Sequence, residues 1–124
     1  MNEILSYKDI LKLSPIDFCD YLERYRTMFL DIVETDADAR LAGLELQRVA
    51  ANYTIVTALI SYARAMKREY KLKNETEKYN DMIDKEKALT STLSAVDIQY
   101  KAINRILILH SELQKEIYVS NNIT

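Results

Sequence analysis

The stretch "AGLELQRVAANYTIVTALISYARAMKREYKLK", residues 42–73, decides the fold because its apolar residues recur with the period of an α-helix. One stripe consists of Ala42, Leu46, Val49, Tyr53, Val56, Ile60 and Ala63. A second stripe consists of Ile55, Leu59, Tyr62, Met66 and Tyr70. Two stripes mean that the helix is covered on more than one side. We therefore predict a long helix over residues 37–73, which is either central in the domain or turns one stripe towards another subunit.

The C-terminal part of the chain repeats this double pattern and predicts a second long helix over residues 90–118. Its first stripe is Leu89, Leu93, Val96, Tyr100, Ile103 and Leu107. Its second is Ala102, Ile106, Leu109, Leu113 and Ile117. The polar residues 74–88 between the two helices suggest a break followed by a short helix, with Asn74 as an N-terminal cap and Glu77 reaching back to it. The alternative is that the helix continues, exposed, through this stretch.

The N-terminal part begins a helix of its own. Ser14 can cap it and Pro15 suits its first position. A heptad stripe then follows: Phe18, Leu22, Tyr25, Phe29 and Ile32. This pattern predicts a helix over residues 15–33, preceded by a short helix or arm at 1–13. Asp36 and Asp38, in the interruption that follows, suit the N-terminal end of the next helix better than a calcium site.

The composition supports an all-α class, because the 124 residues include one glycine and one proline. Tight turns between strands require such residues, so few long helices are favoured. We expect one domain over 1–124 with three main helices, two of which form a long, coiled-coil-like antiparallel hairpin. This fold leaves more apolar surface than one chain covers, which predicts a homo-oligomer. The candidate interface residues are Ile55, Leu59, Tyr62, Met66, Tyr70, Ile106, Leu109, Leu113 and Ile117.

Residues for catalysis are scarce. His110 is the only histidine and lies on an apolar flank, and Cys19 is the only cysteine, expected as a buried, inert thiol. A single glycine does not build a phosphate-binding loop. We therefore expect no enzyme, no catalytic residue, no cofactor, no metal and no small-molecule substrate.

No membrane span is expected. The longest uncharged run, residues 49–63, is shorter than the roughly 20 apolar residues that cross a bilayer. A lone cysteine forms no internal disulfide and no signal peptide is recognised, so a cytoplasmic location is expected.

One concentration of positive charge stands out in a chain with a net charge of −2. Arg64, Lys67, Arg68 and Lys71 fall within an arc of about 100° on a helix, which we call the basic strip. Four such side chains can contact the phosphates of single- or double-stranded DNA. The alternative is the ordinary charged face of an amphipathic helix, with bases placed at its negative end. No aromatic residue shares this side of the helix, so base stacking by the strip is not expected.

Residues 60–117 also resemble a known family. The basic, tyrosine-containing first helix, the break with "TEKYNDMI" and the second helix with "QYKAINRI" resemble the helical hairpin of small phage accessory proteins, including recombination mediators of the UvsY type. The resemblance implies a self-assembling, non-catalytic factor that acts beside DNA in phage recombination or replication, in the cytoplasm of a bacterial host.

Two other functions remain open. The first is a phage protein that binds and inhibits a host enzyme or defence protein through its acidic N-terminal half. The acids concerned are Asp17, Asp20, Glu23, Asp31, Glu34, Asp36 and Asp38. The second is an assembly chaperone that covers the apolar faces of a structural protein.

Overall fold

The chain is all-α, as the computed structural model shows for residues 6–27 and 36–123. Four helices form in this part: α1 (Tyr7–Leu11), α2 (Pro15–Arg26), α3 (Asp36–Leu72) and α4 (Thr76–Ile123). No strand occurs among these residues. The predicted helical class and the long hairpin are confirmed, because α3 and α4 pack against each other.

The hairpin turn is made by Lys73, Asn74 and Glu75. Asn74 has a φ of 58°, the left-handed conformation that asparagine tolerates better than most residues. The Glu75 N–H donates to Tyr70 O at 2.9 Å and the Asn74 N–H donates to Lys71 O at 3.2 Å, which closes the end of α3 in a Schellman motif.

This turn corrects the prediction for residues 74–88. Asn74 terminates α3 and does not cap the next helix, and α4 begins at Thr76 and continues without a break. The predicted short helix and the predicted helix 90–118 are therefore one helix of 48 residues. The prediction relied on the polar composition of residues 74–88. Most of these polar residues lie on the outer side of a helix whose inner side packs against the rest of the bundle.

The interface between α3 and α4 follows one heptad pattern on each helix, which we call the seam. On α4 the buried seam residues are Met82, Lys85, Leu89, Thr92, Val96, Gln99 and Ile103. On α3 they are Val49, Asn52, Val56, Leu59, Ala63 and Met66. Steps of three and four residues are the spacing of helices that pack at a shallow angle. Leu59 and Met66 are thus buried within the chain, so the structure does not support them as interface residues.

Helix α2 forms the third member of the bundle. The Ser14 hydroxyl accepts from the Asp17 N–H at 3.2 Å, as the sequence predicted for the helix start. Phe18, Leu22 and Tyr25 are its buried residues. They pack the helix on α4, and the two run in the same direction.

The end of α2 differs from the prediction. The helix ends at Arg26 and Thr27 is extended, so the predicted helix 15–33 does not run unbroken. The Thr27 hydroxyl donates to Glu23 O at 3.1 Å, the carbonyl that the Thr27 N–H would use in a continuing helix. Residues 28–33 of the predicted helix lie outside the described residues.

Helix α1 lies against α3 near the turn. A capping box starts it, since Ser6 Oγ accepts from the Asp9 N–H at 3.2 Å and the Ser6 N–H donates to the Asp9 carboxylate. Ile10 and Leu11 are buried, and the Tyr7 ring packs at a tilt against that of Tyr62, with the ring centroids 5.3 Å apart. Tyr62, another predicted interface residue, therefore already has a partner in its own chain.

Lys85 ties these layers together. Its side chain is 5% exposed, and Nζ donates to Leu11 O at 2.8 Å and to Leu13 O at 2.6 Å. The same ammonium lies 2.8 Å from the Asp81 carboxylate. All three donors of a lysine ammonium thus have acceptors. The Lys85 ammonium therefore holds the connection between α1 and α2 against α4.

We expect Asn74→Ala to lower the free energy of unfolding by about 1 kcal/mol and Asn74→Gly to keep or raise it, because glycine adopts the left-handed conformation without strain. Urea unfolding followed by circular dichroism measures both. Asn80→Ala, an exposed site inside α4, is the control and should be neutral or slightly stabilising. Equal stability of the alanine and glycine variants at 74 would contradict the role of the turn.

We expect Lys85→Met to lower the free energy of unfolding by about 2–4 kcal/mol, because two carbonyl groups lose a charged donor in the interior. Lys101→Met is a matched control. Lys101 forms the same type of pair with Asp97, also at 2.8 Å, but its side chain is 74% exposed, so stability should hardly change. Similar losses in both variants would show that burial of Lys85 does not matter.

Candidate nucleic-acid interface

A shallow groove follows the contact between α3 and α4 in the part of the hairpin next to the turn. One concavity, of about 380 Å³, is lined by Lys67, Ile83, Glu86, Lys87 and Thr90. A second, of about 270 Å³, is lined by Tyr70, Lys71, Asn74, Glu75, Thr76, Tyr79 and Asn80. Both are lined only by α3, α4 and their turn. We call this surface the basic groove.

Two members of the predicted basic strip bind a carboxylate across the hairpin. Arg64 Nε donates to Glu86 Oε1 at 2.9 Å, and Lys67 Nζ donates to Glu86 Oε2 at 2.7 Å. These hydrogen bonds, first that of Lys67 and then that of Arg64, hold the pKa of Glu86 below its usual value. Arg64 and Lys67 therefore also join the two helices, a role that the sequence did not predict.

The other two members of the strip are open to solvent. Arg68 and Lys71 are exposed, and neither forms an ion pair within residues 6–27 and 36–123. Lys71 lines the groove beside the turn. Their charges are available to a ligand at no cost in internal contacts.

Sequence reasoning missed the α4 side of the groove, which includes Glu86, Lys87 and Tyr79. Lys87 is exposed and lies beside Lys67, so it adds a fifth base. Tyr79 and Tyr70 are half-buried and line the groove beside Lys71. The groove therefore has aromatic rings that the strip alone lacks. The register of an unbroken α4 against α3 was the signal that would have found them.

The remaining predicted interface residues divide into two groups. On α3, Ile55 and Tyr70 are half-buried. On α4, Ile106 is half-buried, whereas Leu109, Leu113 and Ile117 are exposed. These four belong to the far end of the bundle and not to the basic groove.

The acidic residues proposed for protein binding do not form one described surface. Asp17, Asp20 and Glu23 are exposed on α2. Asp38 is half-buried. Asp31 and Glu34 lie outside the described residues, and nothing is described of the Asp36 side chain.

The residues considered for chemistry lie apart from the groove lining. Cys19 is exposed, so the prediction of a buried thiol was wrong; it occupies the outer side of α2, one position beyond the buried Phe18. His110 is half-buried on α4. In the described part of the chain, no three histidine, cysteine or acidic side chains are grouped as a metal site would require. None of the four helices, as far as they are described, has an apolar stretch long enough to span a bilayer.

Comparison with known proteins gave no match: no family model matches the chain, and no curated protein and no solved structure is significantly similar to it. The groove and the surfaces around it are therefore the basis on which a function is proposed.

We expect Glu86→Gln to lower the free energy of unfolding by about 1 kcal/mol at neutral pH, because two cations lose their shared carboxylate. A lowered pKa in the folded state stabilises the fold above the ordinary glutamate pKa, and this stabilisation is lost as pH falls through the lowered value. The difference between wild type and variant should be constant from about pH 7 to 5 and shrink below about pH 4.

Urea unfolding at several pH values measures this difference. Glu112→Gln, which changes an exposed glutamate on the same helix, is the control and should leave the free energy of unfolding at neutral pH nearly unchanged. A constant Glu86→Gln effect down to pH 3 would argue against the ion pairs as its cause.

Proposed function

We propose that this chain is a non-catalytic accessory protein that binds the phosphate backbone of a nucleic acid along the basic groove. One observation carries the proposal: five basic side chains lie in or beside a groove whose two lining carboxylates are already paired, Glu86 with Arg64 and Lys67 and Glu75 with Lys78, in a chain with a net charge of −2. The bases are Arg64, Lys67, Arg68, Lys71 and Lys87. A local excess of this kind attracts a polyanion although the whole protein is slightly acidic.

The spacing of the bases suits a linear ligand. Arg64 and Lys71 are two helical turns apart, which is about 10 Å along α3, and Lys87 lies across the groove from this row. Contacts to phosphates give affinity without sequence information. Arg68, Lys71 and Lys87 supply charge directly, while Arg64 and Lys67 exchange part of their bonding to Glu86 for phosphate oxygens.

The two tyrosines favour a single strand over a duplex. Tyr70 and Tyr79 lie at the turn end of the groove, beside Lys71. Unpaired bases stack on aromatic rings, and each stacked base contributes about 1–3 kcal/mol, whereas bases in a duplex are stacked on each other. The resemblance to single-strand-binding recombination mediators supports the same choice of ligand.

The test is fluorescence anisotropy with a labelled oligothymidine and a matched duplex at 50 and 200 mM salt. If three phosphates are neutralised, wild-type affinity for the single strand should fall roughly 20-fold between these conditions. We expect the triple variant Arg68→Glu, Lys71→Glu, Lys87→Glu to lose at least 10-fold in affinity at 50 mM salt. Its fold should remain intact, since none of the three residues forms an ion pair in the described part of the chain.

A control variant carries the same change in net charge on the outer side of α4: Lys101→Glu, Arg105→Glu, Lys115→Glu. All three sites are exposed and lie outside the groove lining. It should lose much less affinity than the groove variant. Equal losses would mean that overall charge drives binding, and no binding at 50 mM salt would end the proposal.

A further inference from the structure

Helix α4 extends beyond the helix that it pairs with. It has 48 residues and α3 has 37, and the turn between them is only three residues long. The last eleven residues of α4 therefore project past the start of α3, a length of about 16 Å. We call residues 106–119, the end of the seam and most of this projection, the α4 tail.

The seam continues into the α4 tail without a change of pattern. After Ile103 its next positions are Ile106, His110, Leu113 and Ile117, with the same steps of three and four. Every seam residue from Met82 to Ile103 is buried, but Leu113 is 57% exposed and Ile117 is 51% exposed. The heptad pattern of a helix-packing surface therefore continues along α4 beyond the part of this helix that packs against α3.

The described helices α1 and α2 are held at other places on the hairpin. Helix α2 ends where Arg26 donates to Ser91 and Thr92, and Thr27 O accepts from Arg48. Helix α1 packs closer to the turn end of the hairpin, where Tyr7 contacts Tyr62.

We infer that the α4 tail is an interface for a second copy of this chain, whose own tail packs along the seam to form a helix pair. A seam of this pattern is complementary to another of the same pattern, because the apolar side chains of each helix fit between those of the other. Only three charged residues, Glu112, Lys115 and Glu116, occur in 106–119, and the first two lie on its outer side. Little electrostatic repulsion therefore opposes the pairing of two identical tails.

The short length of the tail sets the expected strength. Two heptads per copy bury less than a standard interface of about 800 Å² per partner, so we expect dissociation in the micromolar range. The surface is separate from the basic groove and depends on different residues. Self-association and nucleic-acid binding can therefore fail independently.

The experiment measures the molar mass of the full chain by sedimentation equilibrium from about 1 to 200 μM. We expect a change from the 14.4 kDa monomer towards twice that mass. Ile117→Glu should weaken association at least 30-fold, because it places a charge in the seam. Ile108→Glu is a matched control: Ile108 is 50% exposed on the same helix but lies on its outer side, so association should persist.

Cross-linking gives an independent readout. In a Cys19→Ser background, Leu113→Cys should be joined between copies by a short bismaleimide, and Lys115→Cys, on the outer side, should not. Monomers at every concentration, equal weakening by the two glutamate variants, or equal cross-linking at both positions would each overturn the inference. Circular dichroism verifies that the variants keep their helical content.

Discussion

The ammonium group of Lys85 is the contact on which the layered arrangement depends. A buried cation costs several kcal/mol in lost hydration, and here it is offset by two carbonyl oxygens and one carboxylate. The carbonyls belong to the end of α1 and to the residues before α2, so the cation holds one particular chain path against α4. With that path fixed, α1 lies on α3 and α2 lies on α4. The buried Phe18 of α2 packs next to this contact, because its ring centroid lies 5.5 Å from the Lys85 ammonium.

The sequence was sufficient to predict the long helices and their hairpin, because heptad periodicity can be recognised within a single helix. It was insufficient to predict which residues form the seam, because the predicted stripes contained apolar residues only. Four seam positions are occupied by Asn52, Lys85, Thr92 and Gln99. Lys85, Thr92 and Gln99 have partners in another part of the chain, as when Gln99 Nε2 donates to Tyr25 O at 3.1 Å. Such pairs specify the register of the helices, yet no local pattern reveals them.

The basic strip illustrates the same limit at the candidate site. Four bases on one face of α3 could be read from helical geometry alone. Two other features of the site depend on how α4 is aligned with α3. Glu86 binds Arg64 and Lys67, and Lys87 and Tyr79 line the same groove as the strip. The alignment follows from where the turn is placed. Asn74 carried that information, but a polar stretch with asparagine followed by glutamate also fits the start of a helix, and that interpretation conceals the turn and the unbroken α4 that follows it.

The three-residue turn has a consequence for the order in which the molecule assembles. Each layer of the hairpin that lies further from Asn74 closes a longer loop, and loop closure costs more entropy as the loop grows. Tyr70 and Tyr79, which line one concavity beside the turn, are nine positions apart, and the bonded Arg64 and Glu86 further along the hairpin are 22 positions apart. We therefore expect folding of the hairpin to proceed from Asn74 outwards, and the layers furthest from Asn74 to open first on heating.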